Sequence, residues 1–161
     1  MENGVAILWK NYLQLSPKST CKKQIKKGGI GSEIFLKTEP PPEPNALYVE
    51  RIGIDSLQYL REGYCTISSP SAGMVIISGK TSATQQVDRI LLRLYLQRWN
   101  GSSWADIGNW LFENYNAISV SGSKVLQVPG GYYYRAKGFH QVIENGYSES
   151  LTSYSGYIYA E

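Results

Sequence analysis

Reactive side chains are scarce in this chain of 161 residues. It has one histidine, His140, and two cysteines, Cys21 and Cys65. Two cysteines are too few for a disulfide scaffold or a cysteine-based zinc site. A Cys21–Cys65 bridge would pin the N-terminal segment to the rest. The alternative is two free thiols, with Cys65 partly buried in a strand. A lone histidine argues against zinc, and no Asp-rich loop suggests calcium. No glycine-rich phosphate loop opens a helix, so nucleotide binding is not expected. There is no run of 18 apolar residues, the length that reads as a transmembrane helix. No cofactor and no metal is expected.

Net positive charge is missing from most of the chain. Residues 1–30 hold six Lys and one Glu, whereas residues 31–161 hold ten basic and twelve acidic side chains. The folded part is therefore not a basic nucleic-acid binder, and any electrostatic preference lies in the first 30 residues. There, Lys18, Lys22, Lys23, Lys26 and Lys27 either engage an anionic polymer, membrane surface or nucleic acid, or stay solvated. The apolar run Val5 to Trp9 precedes these lysines, the reverse of a secretory leader, so no standard signal peptide is read. Residues 5–14 can make two or three helical turns. The Glu39-Pro-Pro-Pro-Glu-Pro44 stretch should be extended. Residues 1–45 read as a basic tail and Pro-rich linker, and residues 46–161 as one domain.

Aromatics are abundant. Thirteen Tyr and four Trp against three Phe favour strands, whose half-buried pleated surface suits such rings. Residues 46–54 can form an edge strand. Gly63–Ser69 alternates, Pro70-Ser-Ala-Gly73 turns, and Met74–Ser82 is the next strand. In Asp88–Trp99 the spacing predicts Ile90, Leu92, Leu94 and Leu96 in the core, with Arg93, Tyr95, Gln97 and Trp99 outward. Asn100-Gly101 is the strongest hairpin signal. A return strand covers Trp104–Phe112, and Tyr115–Gly122 is a loop or short strand. Ser123–Val128, Gly131–Val142 and Ser150–Tyr159 are strands, with a turn at Asn145-Gly146. Seven or eight strands make an antiparallel sandwich.

The stretch Pro129-Gly130-x-Tyr132-x-Tyr134-Arg135-x-Lys137 resembles the corner and F strand of a fibronectin type III or immunoglobulin-like sandwich. Leu94 to Trp104, Asn109-Trp-x-Phe112 and Gly130 to Arg135 with Gly138-Phe-His140 resemble a family of small secreted proteins of Gram-positive bacteria whose function is unknown. The resemblance covers about residues 46–161. It implies an extracellular β-sandwich and supplies no catalytic residues. Members of that family usually begin with a signal peptide, from which the first 30 residues here depart. By the corner resemblance, the Tyr132 ring should be buried with its hydroxyl bonded to backbone near the turn.

Candidate sites follow from chemistry. Nothing in the sequence sets a Ser or Cys nucleophile beside His140, so it reads as a strand-end histidine. Asp88, Asp106, Glu113, Glu144 and Glu149 sit by turns or on outward positions, where solvated charge is normal. The best candidate is Tyr95, Trp99 and Trp104 beside Arg93, Gln97 and Arg98. These rings either stack on a ligand such as a sugar face or, for Trp99 and Trp104, form a cross-strand pair that holds the hairpin. Asn100-Gly-Ser102 fits a glycosylation sequon but reads first as a hairpin. The expected function is a non-enzymatic surface module that recognises a glycan or protein. The rival is a structural subunit that self-associates through edge strands or the tail.

Overall fold

The computed structural model describes residues 39–42, 45–50 and 57–161. The tail lysines, residues 5–14, Cys21 and residues 51–54 of the first expected strand lie outside the described residues. Among the described residues all regular structure is β: β1 (Tyr48–Glu50), β2 (Leu60–Ser71), β3 (Met74–Trp99), β4 (Trp104–Gln127), β5 (Tyr132–Glu144) and β6 (Tyr147–Ala160). Every pairing is antiparallel. No described helix is long and apolar enough to cross a membrane.

The strands form one six-stranded sheet, ordered β1-β6-β5-β3-β2, with β4 on the other edge of β3. This differs from the two separate sheets of the expected immunoglobulin or fibronectin III-like sandwich. The cause is the length of β3, 26 residues, and of β4, 24 residues. Residues 74–83 of β3 pair with β2 and residues 89–98 pair with β5, while β4 follows both parts. A register shift between Ser82 and Val87, opposite Ile118 and two residues from the positive φ of Asn116, bends the long pair. The sheet thus curls on itself, and β2 comes to face β6 and β5.

Buried positions record the bend. In the first arm of β3 they are odd: Val75, Ile77, Gly79, Thr81 and Ala83. In the second the core-facing ones are even, Ile90, Leu92, Leu94 and Leu96, as the alternation predicts, while Leu91, Gln97 and Trp99 are buried on the other face. Read along the sequence, this phase change looks like a break between two strands. The backbone instead absorbs it as a bulge while β4 pairs on both sides of it. The same holds for β4, where a loop or short strand was expected at 115–122 and one strand runs through. Together with Leu60, Cys65, Tyr134, Ala136, Val142 and Leu151, these side chains form the core between the arms. Each fully buried Leu, Ile or Val contributes about 1.5–3 kcal/mol.

Turns follow their residues closely. Asn145 and Gly146 both have positive φ, 49° and 80°, as a two-residue hairpin of the primed type requires. The β3–β4 loop is longer than an Asn-Gly pair. Asn100 Oδ1 accepts the N–H groups of Ser102 and Ser103, at 2.9 and 2.8 Å. The corner tyrosine is Tyr134 rather than Tyr132. Tyr134 is fully buried, and its hydroxyl donates to the Pro129 carbonyl at 2.8 Å. Both rings share a face, but Tyr132 is the first strand residue and only half-buried, so the next inward position takes the core role.

Candidate functional site

Two clusters carry chemistry, one inside the curl and one outside it. The inner cluster centres on His140. Its Nδ1 lies 2.8 Å from Thr81 Oγ1 and its Nε2 lies 2.8 Å from Ser153 Oγ. The Thr81 hydroxyl gives its proton to the Leu91 carbonyl, at 3.1 Å. The Ser153 hydroxyl is likewise shared, because it also lies in position to donate to Cys65 Sγ. Cys65 Sγ lies 3.3 Å from Ser153 Oγ and 3.5 Å from the Ala136 carbonyl oxygen. Four strands therefore converge on one imidazole. Gly63 and Gly138 line it, and a Cβ at either would overlap the ring.

The fold thus brings a serine and a cysteine beside His140, against the sequence reading. Their chemistry is nevertheless muted. Cys65, Thr81, His140 and Ser153 are all 0% exposed. Burial pushes the His140 pKa down to about 4 and the free Cys65 thiol up, so both stay neutral. Nδ1 faces a hydroxyl where a catalytic triad would place a carboxylate. The cluster fastens β2, β3, β5 and β6 together.

The five carboxylates each hold something local. Glu149 accepts the N–H groups of Gln58, Tyr59 and Leu60 at 2.8, 2.9 and 2.7 Å, fixing the start of β2. Glu144 accepts from Asp88 N, and Asp88 accepts from Asn145 N. Glu113 pairs with Arg89. Asp106 accepts from Gln97 Nε2 at 2.6 Å and pairs with Lys137 Nζ at 2.8 Å. Burial acts to raise the Asp106 pKa, but the Lys137 and Gln97 bonds outweigh it and hold the group low.

The outer cluster lies on the far face of the second arm. Tyr48 and Tyr154 stack with centroids 4.5 Å apart. The Arg135 guanidinium sits 4.6 Å from the Tyr154 ring and 4.4 Å from the Trp104 ring. Trp104 contacts Tyr157 at 6.1 Å, and Tyr133 contacts Tyr157 at 5.5 Å and Tyr159 at 5.0 Å. Gln97 orients the arginine: its Oε1 accepts from Arg135 Nε at 2.7 Å. The result is a ladder of rings crossing several strands with a cation at its centre.

Of the expected residues, Trp99 and Trp104 meet at 5.5 Å but are tilted by 57°. Trp99 is only 4% exposed, and its indole N–H has no hydrogen-bond partner among the described residues. Gln97, expected outward, is 5% exposed. Tyr95 stands under Lys137 Nζ, 4.2 Å from the ring centroid. These three rings do not share one flat surface. Trp104 is half-buried and joins the ladder, whose other members the sequence reading missed. Parity alone puts Tyr133 and Arg135 on this face. Tyr154, Tyr157 and Tyr159 elude it, because a register shift opposite Arg135–Lys137 changes parity within β6.

A second concavity, about 230 Å³, opens where β2 faces β6 and is lined by Leu47, Ile67, Tyr157 and Ile158 among others.

A family model described as "Family of unknown function (DUF6147)" matches residues 42–156. No curated protein matches the chain.

Proposed function

The chain belongs to that family of unknown function, and we propose that its domain is a non-enzymatic recognition module acting outside the cell or at its surface. The carrying observation is the ring ladder from Tyr48 to Tyr159, built around Arg135 on one face of the second arm. Aromatic rings present large, rigid contact area at little entropic cost, and neighbouring polar groups fix orientation. Trp104, Tyr133, Tyr157 and Tyr159 are half-buried, so each keeps an accessible part. Their tilts, 40° to 89°, make a corrugated surface that suits a ligand with its own relief, a glycan or a protein segment.

The non-enzymatic reading rests on the burial of the nucleophile-bearing cluster around His140 and on carboxylates engaged in local bonds. The extracellular placement rests on the resemblance to small secreted proteins. In our reading, the likeness to fibronectin type III reduces to the Tyr134–Pro129 corner.

A glycan array probed with wild type and Trp104→Ala tests this, with Tyr64→Ala as the control on the other arm. Signal lost in Trp104→Ala and kept in Tyr64→Ala supports the reading. Binding unaffected by Trp104→Ala rejects the ladder as the site.

A further inference from the structure

Among the described residues, β4 pairs with β3 alone, so its other edge has no strand partner. Such an edge presents a row of backbone donors and acceptors to any strand that approaches. Proteins blunt edges with short strands, proline, lysine or bulges. β4 runs for 24 residues without proline and with one lysine, Lys124. Ile107, Leu111, Tyr115, Ile118 and Val125, all on β4, are exposed.

The register shift opposite Ile118 divides β4 into two stretches, and a straight partner strand can follow only one of them. In residues 104–115, self-pairing would bring Asp106 of one copy close to Glu113 of the other, and the register against β3 shifts between Leu96 and Gln97. Residues 119–127 are regular, since the register runs unbroken from Ser82↔Ser119 to Met74↔Gln127, and Lys124 is the one charge between residues 117 and 127.

We propose that the free edge of residues 117–127 pairs antiparallel with the same segment of a second copy, about a two-fold axis at Gly122. This overlaps the whole segment and preserves facing, because residues opposite each other point to the same side. It sets Ile118 opposite Leu126 of the second copy and Ser121 opposite Ser123. Lys124 meets Val120, whereas parallel pairing in register would set the two lysines against each other. A segment with one cation and no acid fits its own copy without like-charge contact, and the isologous pairing closes on itself. The interface is separate from the ring ladder and does not depend on its role.

Sedimentation velocity on the full chain, from about 1 to 200 µM, tests this. A monomer–dimer equilibrium is expected. Ile118→Lys/Val125→Lys should weaken it at least about ten-fold, with an unchanged circular dichroism spectrum and melting temperature. Leu111→Lys should dimerise like wild type. Ser119→Cys/Val125→Cys in a Cys21→Ser background should oxidise to a covalent dimer. A monomer at every concentration, a dimer weakened by Leu111→Lys alone, an open-ended oligomer or the absence of that cross-link would each overturn the proposal.

Discussion

The two arms of the curled sheet share one core but present different outer faces. On the first arm, rows such as Thr66–Ser78–Ser123 and Tyr64–Lys80–Ser121 cross β2, β3 and β4. They are small and polar for the most part and open to water. On the second arm, the corresponding face carries Leu91, Gln97, Trp99 and Arg135, all under 9% exposed, among tyrosines and Trp104. A face needed only to meet water has no reason to desolvate an arginine and a glutamine, because burying polar groups costs free energy unless they are bonded. Here Arg135 is bonded to Gln97 and stacked on rings. This contrast is the reason we propose the second arm's outer face as the recognition side, with the first arm as its scaffold.

Breaking the join between the arms should have the largest effect. His140→Ala removes the shared partner of Thr81 and Ser153 and opens a cavity. It should cost about 3–5 kcal/mol, the usual cost of a large-to-small change in a core, since Thr81 keeps its bond to the Leu91 carbonyl. Denaturant titration measures it, and a cost under about 1 kcal/mol would show that the arms do not depend on this node.

Acid is the next lever. The His140 pKa is held at about 4 in the fold, against about 6.5 when unfolded. The unfolded chain therefore binds the proton more readily. The histidine's contribution is complete above about pH 6.5 and is lost as pH falls towards 4. At about 1.36 kcal/mol per unit, the loss approaches about 3 kcal/mol. Stability measured at pH 7, 5.5 and 4.5 should fall in wild type and fall less in His140→Gln. Parallel pH curves for the two proteins would contradict the burial account.

Much of this architecture was legible along the chain. The even-numbered leucines of the second arm, the Asn145-Gly146 turn and the corner could be read because each signal is local. The corner residue was read two positions early, since Tyr132 and Tyr134 share a face and only packing depth separates them. The continuity of β3 and β4 was hidden by a phase change that mimics a strand break. The His140 cluster could not be seen, because Thr81 lies 59 residues and Ser153 lies 13 residues away in sequence. Trp99 and Gln97 were placed outward correctly by parity. Their burial arises from neighbours on the same face, which alternation does not report.

Smaller changes sharpen the comparison. Tyr134→Phe should cost about 0.5–1.5 kcal/mol, one net hydrogen bond, and Tyr132→Phe should be near neutral. Equal losses on urea titration would undo the corner assignment. Asp106→Asn should cost less still, about 0–1 kcal/mol, because its partner Lys137 is partly solvated. A larger loss would mean that Gln97 and Arg135 depend on the carboxylate.

The most direct test of the division between faces is the affinity of matched variants for one ligand recovered from the array. Trp104→Ala and Tyr157→Ala on the second arm should weaken binding about ten-fold, the value of about 1.4 kcal/mol, with the fold intact. Tyr64→Ala and Lys80→Ala on the first arm should leave affinity unchanged. Losses of equal size on both arms, or losses confined to Tyr64→Ala and Lys80→Ala, would contradict the assignment.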